Sequence, residues 1–490
     1  MAAERSPRVL VLVAIALGAV LTLANRKLPL VRNSLVYARA SEHVIEHGYD
    51  PRPVVADSQL SYDKPILYAW ASAPFVALLG NHDGLRLTSF LTTAAYLLAL
   101  LHFARSFRAL LPPGAAGLFV WLGALGPCVF YQFWSAHPDG WFAALAVLAW
   151  SLTQRIVAET DADPVPRVLA LGLTLLVAVL LKNYGLLLLL SCPLYLGWHL
   201  RALRGDRRRW RRLLASGFAV FALLGLFVGL AWTGRNPLSR LEGEGGGVGQ
   251  YATGELWMSF RGAWVALGLA TLLQFHLALA FAARRSAWAR ELHAPLLCFG
   301  APYVLGLMPF PTTFYNMRYF VPLFALVALV LARGAAGFAP QLRRTIVLAH
   351  GALAALLILV FNCVPAYRAA EPHIPELTVT WYRGVSLSLL DNLRMEQHLA
   401  QAAVLDDIEH NVPPGATLYF LDASYYRDAQ QGVFEHAGLI RPDIATHYAS
   451  SRDFHPEEAE FYVSASRPAA LEPLGQVTEL APRLFRVSSG

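Results

Sequence analysis

The chain has 490 residues, of which 56% are hydrophobic and 15% charged, and its formal net charge is +7. A soluble domain carries about 25% charged residues, so this composition excludes an ordinary soluble protein and indicates a polytopic α-helical membrane protein. The positive charge does not indicate nucleic-acid binding, because basic residues flank membrane spans on the cytoplasmic side and no nucleic-acid-binding motif accompanies them.

The first apolar segment, residues 8–25, lacks a small-residue cleavage site and is followed by further spans, so it is predicted to be an anchor. If all arginine clusters face the cytoplasm, the sequence predicts about eleven crossings, with the N-terminus inside and the C-terminus outside. The predicted crossings are residues 8–25, 84–104, 114–133, 139–155, 167–181, 184–200, 213–233, 262–283, 294–309, 319–335 and 345–364.

The first outer loop, residues 26–83, contains a shorter apolar segment at 65–80. Counting this segment as a crossing would place Arg105 and Arg108 outside. It is therefore predicted to be a helix in the outer interface. The transmembrane domain is predicted to cover residues 1–364. The polar tail, 365–490, is predicted to form a small periplasmic α/β domain with a helix at 390–410 and three strands, in "NVPPGATLYFLD", "AEFYVSA" and "RLFRVSS".

Charged residues lie at the outer ends of three predicted crossings, Asp139, Lys182 and Arg318, and Lys64 begins the predicted interfacial helix. Charges at such positions are costly and often mark function, although a single one is explained equally well by a side chain that reaches the interface. Three cations and an acid on one predicted membrane face indicate a phosphate site more strongly, because lysine and arginine bind phosphate oxygens.

Four segments then resemble, in order, motifs of the GT-C glycosyltransferases that use polyprenyl-phosphate sugars, such as lipid A aminoarabinose transferases and protein O-mannosyltransferases. The first outer loop carries "NSLVYARASEHVIEHGYDP" and "YDKPILYAW", and the later motifs are "HPDGWFAALAVLAW", "LLKNYGLLLLL" and "NMRYFVPLFALVALVLA". The resemblance implies a GT-C fold. It also implies transfer of a monosaccharide from a polyprenyl-phosphate donor to a lipid, glycan or protein acceptor at the outer face of a bacterial cytoplasmic membrane.

The candidate site residues follow from these motifs. Lys64, Lys182 and Arg318 are predicted to bind the donor phosphate, and the predicted substrate-binding residues are Tyr37, Tyr62, Tyr319 and His137. For the histidines of the outer segments, His43, His47 and His137, solvent exposure is the simpler interpretation.

The chain departs from the family at Asn33, which stands where the family has an acid thought to deprotonate or orient the acceptor. An asparagine cannot take that proton. Either another acid is the base, with Asp139 the first candidate, then Asp57, then Asp63, or the acceptor needs little activation or is already acidic. Asparagine is also a poorer ligand for a divalent cation, which argues against a divalent-metal requirement, and no cofactor is predicted. A single displacement would invert the sugar carbon.

Two other functions remain open from the sequence. A transporter or flippase for a lipid-linked sugar would require inverted repeats and broken helices around a mid-membrane site, and no internal repeat is visible. A catalytically impaired relative that binds lipid-linked sugar would explain Asn33. Turnover of a lipid-phosphate sugar by the purified protein separates these functions from a transferase.

Overall fold

The fold is taken from a computed structural model of the whole chain. The residues it describes are 2–31, 33–48, 67–182, 184–199, 203, 206–231, 290–307, 318–335, 337–373, 378–380, 386–388, 394–420, 440–448, 459–464 and 469–488. They form two compact units. The first contains Met1–Ala24, Ser89–Trp134 and Pro138–Leu393, and the second contains Asn25–Thr88, Ser135–His137 and Arg394–Gly490.

The described part of the chain is mostly helical up to residue 373. Its helices are α1 (Ala2–Ala24), α2 (Asn33–His47), α3 (Leu67–Ser106), α4 (Ala116–Ala124), α5 (Pro127–Trp134), α6 (Asp139–Ala158), α7 (Val165–Leu181), α8 (Gly185–Trp198), α9 (Arg207–Ala231), α10 (Arg290–Pro295), α11 (Ala301–Leu307), α12 (Leu323–Ala335), α13 (Pro340–Asn362) and α14 (Val364–Ala370). A π-helical turn, Leu296–Gly300, joins α10 to α11, and a 3₁₀ turn, Glu371–His373, follows α14.

Within the described ranges, four helical segments are long and apolar enough to cross a membrane: Pro7–Ala24, α3, α6 and α13. The bent pair α4–α5 makes a fifth if it is one span, and α7, α8 and α12 are apolar but shorter. The predicted crossing at 262–283 lies outside the described residues. The structure thus has several apolar helices at predicted crossings, and the count of eleven stays a prediction.

The predicted crossing at 114–133 is not a straight helix, because α4 and α5 are bent by 63°. The break falls at Leu125 and Gly126, and Pro127 begins α5. Proline has no backbone N–H to continue the helix and disfavours helical geometry at the residue before it, whereas it is well suited to begin a new helix. Gly126 also allows a close approach, since a Cβ there would lie 2.8 Å from the ring of Phe324 on α12.

Helix α3 carries a break of its own at Gly80, where φ is 79°. Glycine adopts this left-handed conformation without the steric cost that a side chain would bring. The two helical segments of α3 therefore meet where the predicted interfacial segment 65–80 ends. Its first residues lie outside the described part, and its placement in the interface stays a prediction.

In the first unit, α6 packs on α7 and α8, and α4 packs on α1 and α12. Buried polar side chains connect distant segments. The Trp134 indole donates a hydrogen bond to the Asn362 carbonyl oxygen over 2.9 Å, and both side chains are fully buried. Strands β1 (Thr378–Thr380) and β2 (Ser386–Ser388) form an antiparallel pair at the end of this unit.

The second unit combines α2, the start of α3 and the C-terminal region. The C-terminal region contains helix α15 (Arg394–Asn411), strands β3 (Thr417–Phe420), β4 (Ala445–Tyr448), β5 (Phe461–Val463), β6 (Gln476–Ala481) and β7 (Leu484–Ser488), and a 3₁₀ turn at Ala469–Leu474. The strands form one sheet in the order β4-β3-β5-β7-β6. The β3 pairings are parallel, and the β7 pairings are antiparallel.

A buried contact connects the first loop to the C-terminal region within this unit, since His398 on α15 hydrogen-bonds the carbonyl oxygen of Pro29 over 2.8 Å. The compact unit thus joins residues 25–88 to the tail, which the sequence assigned to separate domains. The predicted domain division at 364/365 stays a prediction.

Candidate active site

A buried cluster of three charged side chains lies in the first unit, formed by Asp139, Lys182 and Arg318. One Asp139 oxygen, Oδ1, accepts a hydrogen bond from Lys182 Nζ, and Oδ2 lies 2.7 Å from Arg318 Nε. The side chains are 2%, 9% and 1% exposed, respectively. Three residues far apart in sequence, from three predicted turns, are thus brought together.

Each member of the cluster occupies the end of a helix. Asp139 is the first residue of α6, directly after Pro138. Lys182 ends α7 in an extended conformation (φ −154°, ψ 142°), and its carbonyl oxygen accepts a 2.8 Å hydrogen bond from Gly185 N at the start of α8. Arg318 opens a short 3₁₀ turn before α12. Helix ends direct these side chains into one place without placing a charge in the middle of an apolar helix.

The glycine after Asp139 allows α6 to approach α3 closely. A Cβ at Gly140 would overlap the Thr93 side chain and lie 3.1 Å from Thr93 Cα. Only a residue without a side chain allows this contact between the two backbones. The "PDG" sequence therefore supplies both the carboxylate and the helix packing that fixes its position.

Aromatic rings enclose the cations. The Tyr319 hydroxyl accepts a 3.0 Å hydrogen bond from Arg318 Nη2, and the Tyr319 ring centroid lies 4.5 Å from Lys182 Nζ. Tyr184 packs against Tyr319 with ring centroids 4.8 Å apart, and the buried Tyr303 hydroxyl donates to the Tyr319 carbonyl oxygen over 2.7 Å. These rings restrict the cations to few conformations and give them cation–π contacts.

Two cations share one carboxylate in this cluster. Charges away from water are costly unless they are paired. Both carboxylate oxygens of Asp139 are engaged, which stabilises the two cations next to each other. Lysine and arginine are also the residues that hold phosphate oxygens.

A second polar cluster lies in the other unit, between α2, α3 and the turn Ser135–His137. Ser34 donates a 2.7 Å hydrogen bond to the Ser135 carbonyl oxygen and lies 3.3 Å from His137 Nε2. Tyr37 packs edge-on against Tyr68, with ring centroids 5.0 Å apart, and its ring lies 6.5 Å from His137. The turn contains Ala136 at φ 58°, a left-handed conformation that is uncommon for a residue with a side chain.

The histidine interpretation needs correction, because His43 and His137 are buried and only His47 is exposed. His47 stacks on His43 at 4.2 Å. Sequence alone missed this burial since both histidines lie in segments assigned to an aqueous loop. Among the described residues, no group of three or more His, Cys, Asp or Glu side chains is arranged to hold a metal ion.

The remaining predicted site residues divide into two groups. Asn33 is the first residue of α2, but its side chain is not among those the structure describes. The predicted residues outside the described part are Asp57, Tyr62, Asp63 and Lys64. The structure therefore brings together Asp139, Lys182, Arg318 and Tyr319 in one cluster.

Sequence reasoning missed Tyr184, Tyr303 and Glu42. Tyr184 stands two residues after Lys182, so its position in the same turn was a usable signal, whereas nothing local connects Tyr303 to the site. Glu42 is a buried acid on α2 that accepts a hydrogen bond from the buried Asn81 on α3. It is a polar contact within the second unit that no motif indicated.

Comparison with solved structures shows which fold this is. The chain is similar to ArnT from Cupriavidus metallidurans in the apo state (15% identity, 97% of each chain, TM-score 0.55) and to the same protein bound to undecaprenyl phosphate (15% identity, 97% of each chain, TM-score 0.56). It is also similar to the oligosaccharyltransferase AglB from Archaeoglobus fulgidus in complex with an inhibitory peptide and a dolichol-phosphate. That match has 14% identity, 86% of this chain, 63% of the other and a TM-score of 0.50.

No protein-family model matches the chain, and no curated protein matches its sequence. At these identities the structural similarity establishes the fold alone. The resemblance to GT-C glycosyltransferases that the sequence motifs predicted is confirmed at that level, over nearly the whole chain.

Proposed function

We propose that this protein is an integral membrane glycosyltransferase that moves a monosaccharide from a polyprenyl-phosphate donor to a lipid, glycan or protein acceptor. The observation that carries the proposal is the buried cluster of Asp139, Lys182 and Arg318, in which a lysine and an arginine lie on opposite oxygens of one carboxylate. Neighbouring lysine and arginine side chains suit the phosphate of a lipid-linked sugar. The fold supports the same conclusion, because one similar structure holds undecaprenyl phosphate and another a dolichol-phosphate.

The reaction requires one bond to break and one to form. The acceptor oxygen attacks the anomeric carbon, the carbon–oxygen bond to the phosphate breaks, and its electron pair stays on the polyprenyl phosphate. The acceptor proton passes to a base. Lys182 and Arg318 stabilise the negative charge that develops on the leaving phosphate. Stabilisation of developing charge by positioned groups is usually the largest contribution to catalysis. A single displacement of this kind inverts the sugar carbon.

Asp139 was the first candidate for the base, but its contacts support a positioning role. To accept a proton it would have to give up an ion pair with Lys182 or Arg318, since each carboxylate oxygen is engaged by one of them. We assign Asp139 to holding the two cations at a fixed separation. The base is then assigned to the first outer loop, to Asp57 or Asp63, with Asn33 in the place of the family acid.

The donor and acceptor are assigned to the outer segments of the chain. Lys64 is proposed as a third donor-phosphate ligand, and Tyr37, Tyr62, Tyr319 and His137 as substrate-binding residues. Tyr37 and His137 lie in one buried cluster with Ser34, which gives them fixed orientations. The site and the C-terminal region are assigned to the periplasmic side of a bacterial cytoplasmic membrane, as the arginine distribution predicts.

The decisive experiment measures release of polyprenyl phosphate by the purified protein in lipid nanodiscs, supplied with polyprenyl-phosphate sugars and a membrane-lipid extract as acceptor. A transferase releases polyprenyl phosphate and moves the sugar from the donor to an acceptor. Binding of undecaprenyl phosphate without turnover would favour the impaired relative. Movement of intact donor between leaflets of proteoliposomes would favour the transporter.

A matched pair of variants links the activity to the cluster. Lys182→Ala removes one of the two cations, and Arg208→Ala removes an exposed arginine at the start of α9. Lys182→Ala is expected to weaken binding of undecaprenyl phosphate and turnover together, while Arg208→Ala leaves both unchanged. Parental binding of the lipid phosphate by Lys182→Ala contradicts the proposed site.

A further inference from the structure

The first unit contains a groove that the proposed transferase chemistry does not use. Its volume is about 720 Å³, within the range of small-ligand sites. It is lined by residues of α1, α4, α12 and α13, by the loop Pro112–Gly114, and by the arginines Arg343 and Arg344 of α13. The groove thus combines apolar helix surfaces with two consecutive arginines.

The two arginines differ from their neighbour Arg333. Arg333 binds Glu291 over 2.9 Å and donates a 2.9 Å hydrogen bond to the Leu110 carbonyl oxygen. Arg343 and Arg344 are exposed in the first turns of α13, and no carboxylate of the described residues forms an ion pair with either. Two like charges at adjacent positions without a counter-charge form an anion-binding surface.

The rest of the groove is apolar. Leu10 of α1, Leu118 and Trp121 of α4, and Val347 and Leu348 of α13 contribute to its lining. Leu348 is 62% exposed, and its helix, α13, is one of the helices apolar enough to cross a membrane. An apolar surface that begins beside two arginines matches a molecule with an anionic head and a hydrocarbon chain.

The groove lies at the opposite end of α12 from the charged cluster. Arg318 opens the 3₁₀ turn that precedes α12, whereas Ala332, near the last residue of α12, lines the groove. A helix of this length extends about 20 Å. The groove is therefore separate from the proposed phosphate site and, in a membrane-spanning chain, belongs to the other leaflet.

We propose that this groove binds an anionic phospholipid of the leaflet opposite the active site, with its phosphate between Arg343 and Arg344 and an acyl chain along Leu10, Trp121 and Leu348. Basic pockets between transmembrane helices are known to hold anionic head groups. The bound lipid fastens α13 to α1 and α4, because it contacts all three helices. This site is independent of the proposed function and needs no donor or acceptor.

The test uses the full-length protein and two lipids with identical acyl chains, phosphatidylglycerol and phosphatidylcholine. Native mass spectrometry measures how tightly the first lipid binds. The parent is expected to hold phosphatidylglycerol about tenfold or more tightly than phosphatidylcholine, the effect of one or two charge-assisted hydrogen bonds. In the double variant Arg343→Ala/Arg344→Ala that preference should disappear.

Two further variants make the test specific. Arg207→Ala/Arg208→Ala removes an equal charge from the exposed start of α9 and should leave the preference intact. Leu348→Trp keeps both arginines but fills the groove, and it should weaken both lipids. A photoreactive phosphatidylglycerol should label residues 112–121 and 340–348. Any of three results would overturn the proposal. The two double variants could lose the preference for phosphatidylglycerol equally, the label could be confined to other helices, or the parent could bind both lipids equally.

Discussion

Two basic regions of the first unit, the charged cluster and the arginine groove, show how burial changes what a cation requires. In the cluster, Lys182 and Arg318 are almost inaccessible, and they share the carboxylate of Asp139. In the groove, Arg343 and Arg344 are exposed and have no ion-pair partner among the described residues. The buried cations carry a built-in counter-charge, whereas solvent stabilises the exposed ones.

The difference follows from desolvation. A buried cation without a partner lowers stability by several kcal/mol. A stable fold must therefore place an acidic side chain beside it or leave the cation exposed to water. An exposed arginine keeps its water, and an ion pair there contributes less than about 1 kcal/mol. Substitutions in the cluster should therefore affect folding and activity together, while substitutions in the groove should affect lipid binding alone.

The largest effect is expected for Arg318→Ala. This change leaves Asp139 with one cation and removes a ligand of the proposed donor phosphate, so kcat/KM should fall by about a hundredfold or more. Stability should fall as well, by roughly 3–5 kcal/mol for a broken buried pair. Steady-state kinetics and thermal unfolding in detergent measure the two effects.

Arg318→Lys serves as the control, since it keeps the charge and loses the planar fork of the guanidinium. It should retain more stability and more activity than Arg318→Ala. If Arg318→Ala has the same kcat/KM as the parent protein, Arg318 has no role in the mechanism. The buried cluster would then not differ from the exposed arginines in its effect on activity.

Asp139→Asn should have the next largest effect, and it separates a positioning residue from a base. Without the carboxylate the two cations lose their shared partner and shift, so KM for the donor should rise at least severalfold along with a fall in kcat. Loss of a general base would instead lower kcat by about a hundredfold to ten-thousandfold and leave KM near its parental value.

The pH profile of kcat gives an independent readout for the same variant. If the base lies elsewhere, the profile of Asp139→Asn should keep the acid limb of the parent, whereas Asp57→Asn or Asp63→Asn should abolish it. A flat profile in Asp139→Asn would return Asp139 to the role of base.

A smaller effect is expected from Gly140→Ala. The added methyl group would overlap Thr93, so α6 and α3 must separate and Asp139 must move. Overpacking of this kind costs about 1–3 kcal/mol, and we expect roughly a tenfold loss of turnover from the displaced carboxylate. Thermal unfolding and turnover are the measurements.

Gly197→Ala on α8 is the matched control for this change. A Cβ at Gly197 meets no atom within 4 Å, so the change should be neutral or slightly stabilising. Equal effects of the two substitutions would mean that the close approach at Gly140 does not position Asp139.

The smallest effect on folding is expected in the groove. Arg343→Ala/Arg344→Ala should leave the midpoint of thermal unfolding in phosphatidylcholine unchanged, because both side chains are exposed. Added phosphatidylglycerol should raise the midpoint of the parent and not that of the double variant, since a ligand that binds only the folded state stabilises it. A drop of the midpoint in phosphatidylcholine would show that these arginines act like the buried pair.

The sequence predicted most helices of the first unit because apolar length and arginine position are local signals. Helices α6, α7, α8 and α13 lie where crossings were placed, with ends that differ by a few residues. The bend between α4 and α5 was missed, although Gly126 and Pro127 stood in the sequence, because a hydropathy window averages over single residues. The π-helical turn at Leu296–Gly300 left no signal of that kind either.

The candidate site was predicted in part. Lys182, Arg318 and Asp139 were selected one by one because each is a charge at the end of an apolar segment. That they form one ion-paired cluster was not readable, since 43 residues separate Lys182 from Asp139 and no local rule sets their distance. Burial of His43 and His137 was missed for the same reason: it depends on neighbours from other segments.

The sequence by itself determined that this chain is helical, apolar and similar in its motifs to GT-C transferases, because these properties depend on composition and on short ordered patterns. Only the tertiary structure decided that Asp139 is occupied by two cations, which changes its proposed role from base to positioning residue. It also decided that Arg343 and Arg344 line an apolar groove, whereas Arg333 forms an ion pair with Glu291. The physical reason is that charge pairing and burial depend on which helix ends are in contact in the folded protein. Local sequence patterns do not specify these tertiary contacts.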